Sequence, residues 1–282
     1  MPKPTTLRVD DWLNAATTQL NSAGIGTARL DALILLEDIS GKDRAWILAN
    51  PDYELSTAQI SKLKKLLTER SKHIPIAYLR GVTEFYTREF IITPAVLEPR
   101  PESETMIDLL KKLLSADKMG ATQSKQWKIA DVGSGSGALG ITAKLELPER
   151  HVTLIDIDSE ALKVSKMNVD KFTLDIFCVE SDLLHQTAQD FDILLCNLPY
   201  VPDDYHINTA ALHEPRIAIF GGSDGLDLYR TLFNQLKMVV QQPLYILCEA
   251  LPPQHADLIS IAASHGYERI SQDDFIVVFS PN

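Results

Sequence analysis

Apolar residues recur at helical spacing through residues 1–73. Val9, Leu13, Ala16 and Leu20 fall on one face of a helix over 9–20. Thr27 stands as the N-cap of a second helix with apolar positions at Leu30, Leu33, Ile34, Leu36 and Ile39, and Gly41 stops it. Residues 42–49 predict a short third helix ending at Asn50-Pro51. Ser56 or Thr57 caps a fourth, with Ile60, Leu63, Leu66 and Leu67 on one side and lysines on the other. No strand pattern interrupts these stretches. A small helical bundle is expected over 1–73, and it holds no catalytic constellation, so its role is read as binding or positioning.

Between Ala77 and Pro94 the pattern changes to short extended runs. Residues 89–93 are rich in strand formers and Gly81 breaks the stretch, so 74–100 reads as a β-hairpin linker. Pro101 is well placed to open a helix through Leu114. Thereafter strands and helices alternate within 101–282. Strands are predicted at 127–131, 151–157, 174–179, 191–196, 244–248 and 275–279, and helices at 138–147, 159–169, within 224–240 and at 253–265. Repeated βα units imply an α/β fold, a mainly parallel sheet with helices on both faces. The last strand follows a Gln272-Asp273-Asp274 turn and is expected to run antiparallel at or near the sheet edge.

Composition narrows the classes. The 282 residues are 45% hydrophobic and 23% charged, a globular composition with length for about two domains. No apolar run reaches the ~20 residues of a membrane span. Met1-Pro2-Lys3-Pro4-Thr5 lacks the features of a secretory signal. Cys178, Cys196 and Cys248 are read as free thiols in a reducing, cytoplasmic setting. The histidines include no metal-site spacing, so no metal is expected. Residues 1–73 carry 10 Lys+Arg against 9 Asp+Glu, and the remainder 17 against 29, which leaves −12 on residues 74–282. So acidic a body disfavours phosphate backbones, and no direct nucleic-acid partner is expected.

Two motifs carry chemistry. Gly133-Ser134-Gly135-Ser136-Gly137 lies where a strand turns into a helix, preceded by Asp131-Val132. Glycines there let a ligand approach the backbone, and N–H groups at the helix start favour an anionic group. Asp156 ends the second strand, where a carboxylate accepts hydrogen bonds from a ribose diol. Asp182, with Leu183, follows the third strand on the side of an adenine edge. These positions make an adenosine-cofactor site. Gly135 to Gly140 also matches G-x-G-x-x-G, which keeps a dinucleotide open, but the preceding acid and extra glycine resemble an S-adenosylmethionine (SAM) loop.

The second motif is Asn197-Leu198-Pro199-Tyr200, after a buried strand and beyond its carboxyl end, where ligands of open α/β sheets collect. A planar NH₂ is a poor nucleophile because its lone pair is delocalised. The Asn197 side-chain oxygen and the Leu198 carbonyl can accept its two hydrogens and fix the nitrogen. Pro199 stiffens the loop, and the Tyr200 ring can lie flat on the planar group. Arg100, Glu102 and Glu104 are read either as cavity walls or as helix-start ion pairing. Trp12 and Trp46 are read as core, and Cys196 as a small buried hydrophobe.

Across nearly its whole length the chain resembles the bacterial release factor glutamine methyltransferases of the HemK/PrmC family. The resemblance rests on Pro99-Arg100-Pro101-Glu102-Ser103-Glu104, the loop at Gly133, the tetrapeptide at Asn197, Glu214-Pro215-Arg216, and Gly221-Gly222-Ser223-Asp224-Gly225-Leu226. It implies a class I SAM-dependent methyltransferase, Rossmann-like, with a seven-stranded sheet and an antiparallel last strand. It also implies methyl transfer to the glutamine amide in the Gly-Gly-Gln motif of release factors, gripped in part by the N-terminal bundle, in a cytoplasmic monomer. Leu198 stands where the family has the first proline of Asn-Pro-Pro-Tyr, and Asn-Leu-Pro-Tyr is similar to the motif of rRNA adenine dimethyltransferases. Glu98 replaces an apolar residue, Glu249-Ala250-Leu251 replaces Glu-Ile-Gly, and the last strand lacks an arginine. Adenine-amine methylation of RNA or DNA, and a SAM-binding protein of weakened activity, are the alternatives.

Overall fold

The computed structural model describes residues 7–116, 127–187 and 189–282. The N-terminal pentapeptide considered above lies outside them. The chain divides into two units, one of residues 1–81 with 208–213, the other of 82–207 with 214–282.

The first unit contains β1 (Leu7–Arg8), α1 (Val9–Ser22), α2 (Ala28–Ser40), α3 (Arg44–Ala49), β2 (Glu54–Leu55), α4 (Thr57–Arg70) and α5 (Ile76–Arg80). Its core is aliphatic, with Leu20, Ala32, Leu35, Leu36 and Leu63 fully buried and Trp12 among them. Trp46 packs edge-on against Tyr53, with ring centroids 5.0 Å apart. Ser56 and Gln59 close α4 with a capping box.

The structure departs from three expectations. A two-residue antiparallel bridge, β1 with β2, does interrupt the helices. Residues 76–80 are helical rather than extended, and this carries the first unit on to Gly81. Leu30 is exposed. Thr27 is the N-cap of α2, as expected, but its hydroxyl accepts no helix N–H and donates instead to Asp31 Oδ2, 3.0 Å away, as Arg70 Nε does at 2.7 Å. Asp31 and Arg70 form a buried ion pair on the face of α2 that also buries Ala28, Ala32 and Leu35.

The second unit opens with the hairpin β3 (Val82–Phe85) and β4 (Arg88–Ile91), followed after a 3-10 turn by α6 (Glu104–Ala116). It continues through β5 (Lys128–Val132), α7 (Ala138–Glu146), β6 (His151–Asp156), α8 (Ser159–Lys171), β7 (Phe177–Glu180) and β8 (Ile193–Cys196). It ends with α9 (Asp227–Gln235), β9 (Tyr245–Glu249), α10 (His255–Ala263), β10 (Tyr267–Asp273) and β11 (Ile276–Pro281). Seven strands form one sheet in the order β10-β11-β9-β8-β5-β6-β7, and only the pairs made by β11 are antiparallel.

Successive residues of each central strand face opposite layers. Ile129, Ile193, Leu195 and Leu247 point to the layer holding α6 and α7, while Val132, Leu194, Cys196 and Cys248 point to the one holding α9 and α10. Cys196 is thus the buried hydrophobe expected, and all three cysteines are free. One strand was missed: β10 is the edge, and β11, expected at or near it, is its inner neighbour. Its central residues Glu268, Arg269, Ile270, Gln272 and Asp273 are exposed, so β10 carries no apolar alternation to read.

Candidate functional site

β5, the middle of the parallel strands, carries the first motif into the crevice at the sheet's carboxyl edge. Gly133 N and Ser134 N donate to Ile155 O (2.8 and 2.9 Å), Gly135 N to Asp156 Oδ2 (2.8 Å) and Gly137 N to Ser134 O (2.7 Å). Four of the loop's five amides are therefore spent inside the protein. This corrects the expectation of a row of N–H groups open to an anion: the loop offers shape more than charge. A Cβ at Gly135 would meet nothing within 4 Å. Gly140 has a different duty. A Cβ there would collide with Leu154 and lie 2.9 Å from Asp131 Cβ, so its absence lets α7 rest on the sheet. Asp131, fully buried, accepts from Gly140 N at 2.8 Å, and burial pushes its carboxyl up to about 7.

The acids after β6 and β7 follow. Asp156 accepts from Gly135 N with one oxygen and from Asp158 N (2.9 Å) with the other, and desolvation raises its pKa. It is fixed in place, with lone pairs left for a diol. Leu183 holds a left-handed backbone (φ 52°), costly for a branched side chain. Gln235 secures that turn from α9, accepting from Leu184 N (2.8 Å) and donating to Asp182 O (3.1 Å).

At the end of β8, Asn197 Nδ2 donates to Ser103 Oγ at 2.9 Å. The amide's nitrogen is thereby committed and its oxygen is the end left to accept. Leu198 is buried, with its Cδ2 3.1 Å from where a Gly133 Cβ would stand, so it anchors the tetrapeptide to the loop by packing. Gln254 Nε2 donates to both Tyr200 O and Asp224 O (2.7 Å each). A Cβ at Gly221 would strike Pro199 O, and one at Gly225 would strike Tyr200 O. The Gly-Gly-Ser-Asp-Gly run is therefore a seat on which the backbone of the tetrapeptide lies.

A cavity of about 210 Å³ brings most of these residues together. Gly133, Ser134, Gly135, Ser136, Asp156, Asp182, Leu183, Asn197, Leu198 and Pro199 all line it. Gly137 and Tyr200 are not among its walls. Gly137 instead forms the left-handed turn (φ 80°) before α7 and packs on Leu154 and Ile141. The Tyr200 hydroxyl donates to Glu249 Oε1 at 3.0 Å, which draws the ring away from the role of a platform. Ser103 and the segment Ala95, Val96, Leu97 and Pro99 also line the cavity and were missed, as were Phe85, Ile157, Ile217 and Leu228. The available signal was the family's Pro-Arg-Pro-Glu-Thr-Glu, whose threonine keeps the hydroxyl of Ser103. Arg100 takes the ion-pairing option, with its Nη2 2.5 Å from Glu214 Oε2.

An adenosine-type cofactor fits this cavity on two counts besides its acids. Ser134 Oγ lines it, buried and without a hydrogen-bond partner, and so needs a polar group from a guest. The space beside Gly135 is open for backbone approach.

A sheet of this order, with its ligand cavity at the carboxyl ends of β5, β6 and β8, defines a Rossmann-like methyltransferase of class I. The methyltransferase small domain model matches residues 103–214, and the PrmC N-terminal domain model matches residues 11–81. The release factor glutamine methyltransferase of Koribacter versatilis is 32% identical over 228 residues, 79% of each chain, and that of Coxiella burnetii 31% identical over 87% of each. The chain belongs to the release factor glutamine methyltransferase family. The bifunctional methyltransferase of Rickettsia felis is 32% identical across 95% of this chain, which spans only 57% of that relative's length. Among solved structures, the hMettl16 catalytic domain in complex with the MAT2A 3'UTR hairpin 6 shares the fold. Its TM-score is 0.51 at 12% identity, over 82% of this chain and 84% of that one.

Proposed function

We propose that this protein transfers a methyl group from SAM to the side-chain amide nitrogen of the glutamine in the Gly-Gly-Gln motif of peptide chain release factors. The observation that carries the reading is the fixed Asn197 carboxamide, held by Ser103 in the wall of the cavity that also contains the glycine loop. Family membership agrees with it. SAM, when bound, supplies an electrophilic methyl on a sulfonium.

The residues of the chain do the rest. Asp156 and Asp182 accept from the hydroxyl and amine edges of the adenosine, Leu183 packs beside it, and Gly133 to Ser136 give the backbone clearance. Asn197 Oδ1 and the Leu198 carbonyl accept the two hydrogens of the target amide and so orient its nitrogen. Pro199 keeps that segment stiff, and Tyr200 and Gly137 act from outside the cavity wall. The helical unit positions the factor, and the protein works as a cytoplasmic monomer without direct contact to nucleic acid.

The test is mass analysis of a release factor incubated with this protein and SAM. One added methyl on the glutamine is expected, and none after that glutamine is changed to alanine. No transfer to the factor, with methylation of an adenine-containing oligonucleotide instead, would overturn the reading.

A further inference from the structure

Behind the cavity wall stands a carboxylate with no assigned task. Glu249 ends β9 and is fully buried, and it does not line the cavity. Its Oε1 accepts from the Tyr200 hydroxyl, while Oε2 is buried without a hydrogen-bond partner. Ser103 and Tyr200 are the two side chains whose hydroxyls favour its charged form, against the desolvation that opposes it. The Tyr229 hydroxyl ties the neighbouring backbone, reaching both Cys196 O and Glu249 O, and so fixes the spacing of the β8 and β9 ends. A buried acceptor left unsatisfied is costly, and a hydroxyl hydrogen turned toward it would relieve that cost.

We propose that Glu249 is a positioning residue for Asn197, acting through Ser103. A carboxylate has acceptors only, so it draws the Ser103 hydroxyl hydrogen to itself. Ser103 Oγ is then limited to accepting from Asn197, and the carboxamide is locked with Nδ2 toward Ser103 and Oδ1 as its free end. The polarity of the chain runs one way, from Asn197 through Ser103 to Glu249. This inference rests on the reading that Asn197 Oδ1 holds the target amide.

Glu249→Gln has the same shape and tests the polarity. An amide can keep an oxygen on Tyr200 and put a donor NH₂ where Oε2 was. Ser103 Oγ then accepts from Gln and turns its hydrogen toward Asn197, which favours the flipped carboxamide with its oxygen consumed. With SAM and a release factor, we expect Glu249→Gln to lower kcat roughly tenfold or more while KM for the factor and Kd for SAM stay within about twofold. Tyr200→Phe, which keeps the carboxylate and Ser103 but removes one donor to Glu249, is expected to lose less. In a Ser103→Ala background Glu249→Gln is expected to add little, because the intermediary is gone.

The second readout is the side-chain NH₂ of Asn197 in the SAM-bound protein, followed by nitrogen-15 NMR. Its protection from solvent exchange is expected to fall in Glu249→Gln and to persist in Tyr200→Phe. Additive losses in the double variant, or unchanged protection, would overturn the relay. A wild-type protein that methylates no release factor would sink the proposed function instead, and the NMR comparison would still decide the relay.

Discussion

At the scale of single residues, the site depends on where donors are committed. Asn197 has one amide end spent on Ser103, so truncation removes an acceptor that is already oriented. Asn197→Ala should lower turnover by about 2–4 kcal/mol of transition-state stabilisation, with SAM affinity nearly unchanged. Steady-state kinetics beside calorimetric SAM titration checks this, and equal losses in both would make Asn197 a cofactor ligand only. Asp131 gives a prediction about pH. Its carboxyl is raised to about 7, chiefly by burial, so between pH 4 and 7 the folded state keeps a proton that the unfolded chain has released. Its contribution to stability therefore falls as pH rises through that window and is level above it. Asp131→Asn, which retains an acceptor for Gly140 N, should gain on the wild type by up to roughly 4 kcal/mol from pH 4 to pH 8. Urea midpoints at several pH values measure it, and parallel curves would rule it out.

At the scale of elements, the tetrapeptide is held by a loop distant in sequence. Gly225 has φ 79°, and a Cβ on it would meet Tyr200 O and the Gln254 amide that bonds there. Gly225→Ala should cost about 1–3 kcal/mol in backbone strain alone, and it should reduce turnover more than Asn197-independent SAM binding. Thermal melts and SAM titration of the variant test this together; a variant with wild-type turnover would mean that the seat is not needed. The same elements explain what could be read in advance. The alternation of strands and helices in the second unit was legible because β5, β6 and β8 are apolar runs and the intervening helices have clear faces. Seven strands came from the family resemblance, since β10 is polar along most of its length and gives no periodic signal. α5 and the β1–β2 bridge are too short to leave a pattern. The loop at Gly133 and the tetrapeptide at Asn197 were legible as contiguous motifs. Ser103, Glu249 and Tyr229 were not legible as one site, because their side chains come together only where the turn before α6, the ends of β8 and β9, and α9 meet.

At the scale of the whole molecule, the chain has separate cores, one aliphatic and built on α1, α2 and α4, the others on the two faces of the large sheet. Among the described residues, the cofactor cavity is lined only by those of the second unit. A ligand stabilises the cooperative unit that binds it by RT ln(1 + [L]/Kd), about 2.7 kcal/mol at a hundredfold excess over Kd. Two-state unfolding is not assured for a chain of two units. Scanning calorimetry should therefore show a transition that SAM moves upward and another that it leaves in place. Tryptophan assigns them: Trp12 and Trp46 report the first unit, and Trp127, beside Tyr245, reports the second. With Trp127 changed to phenylalanine, the remaining fluorescence transition should not respond to SAM. If it shifts with the cofactor, the units unfold as one, and the release factor reading must then treat the helical unit as part of the cofactor-binding body rather than as a separate grip.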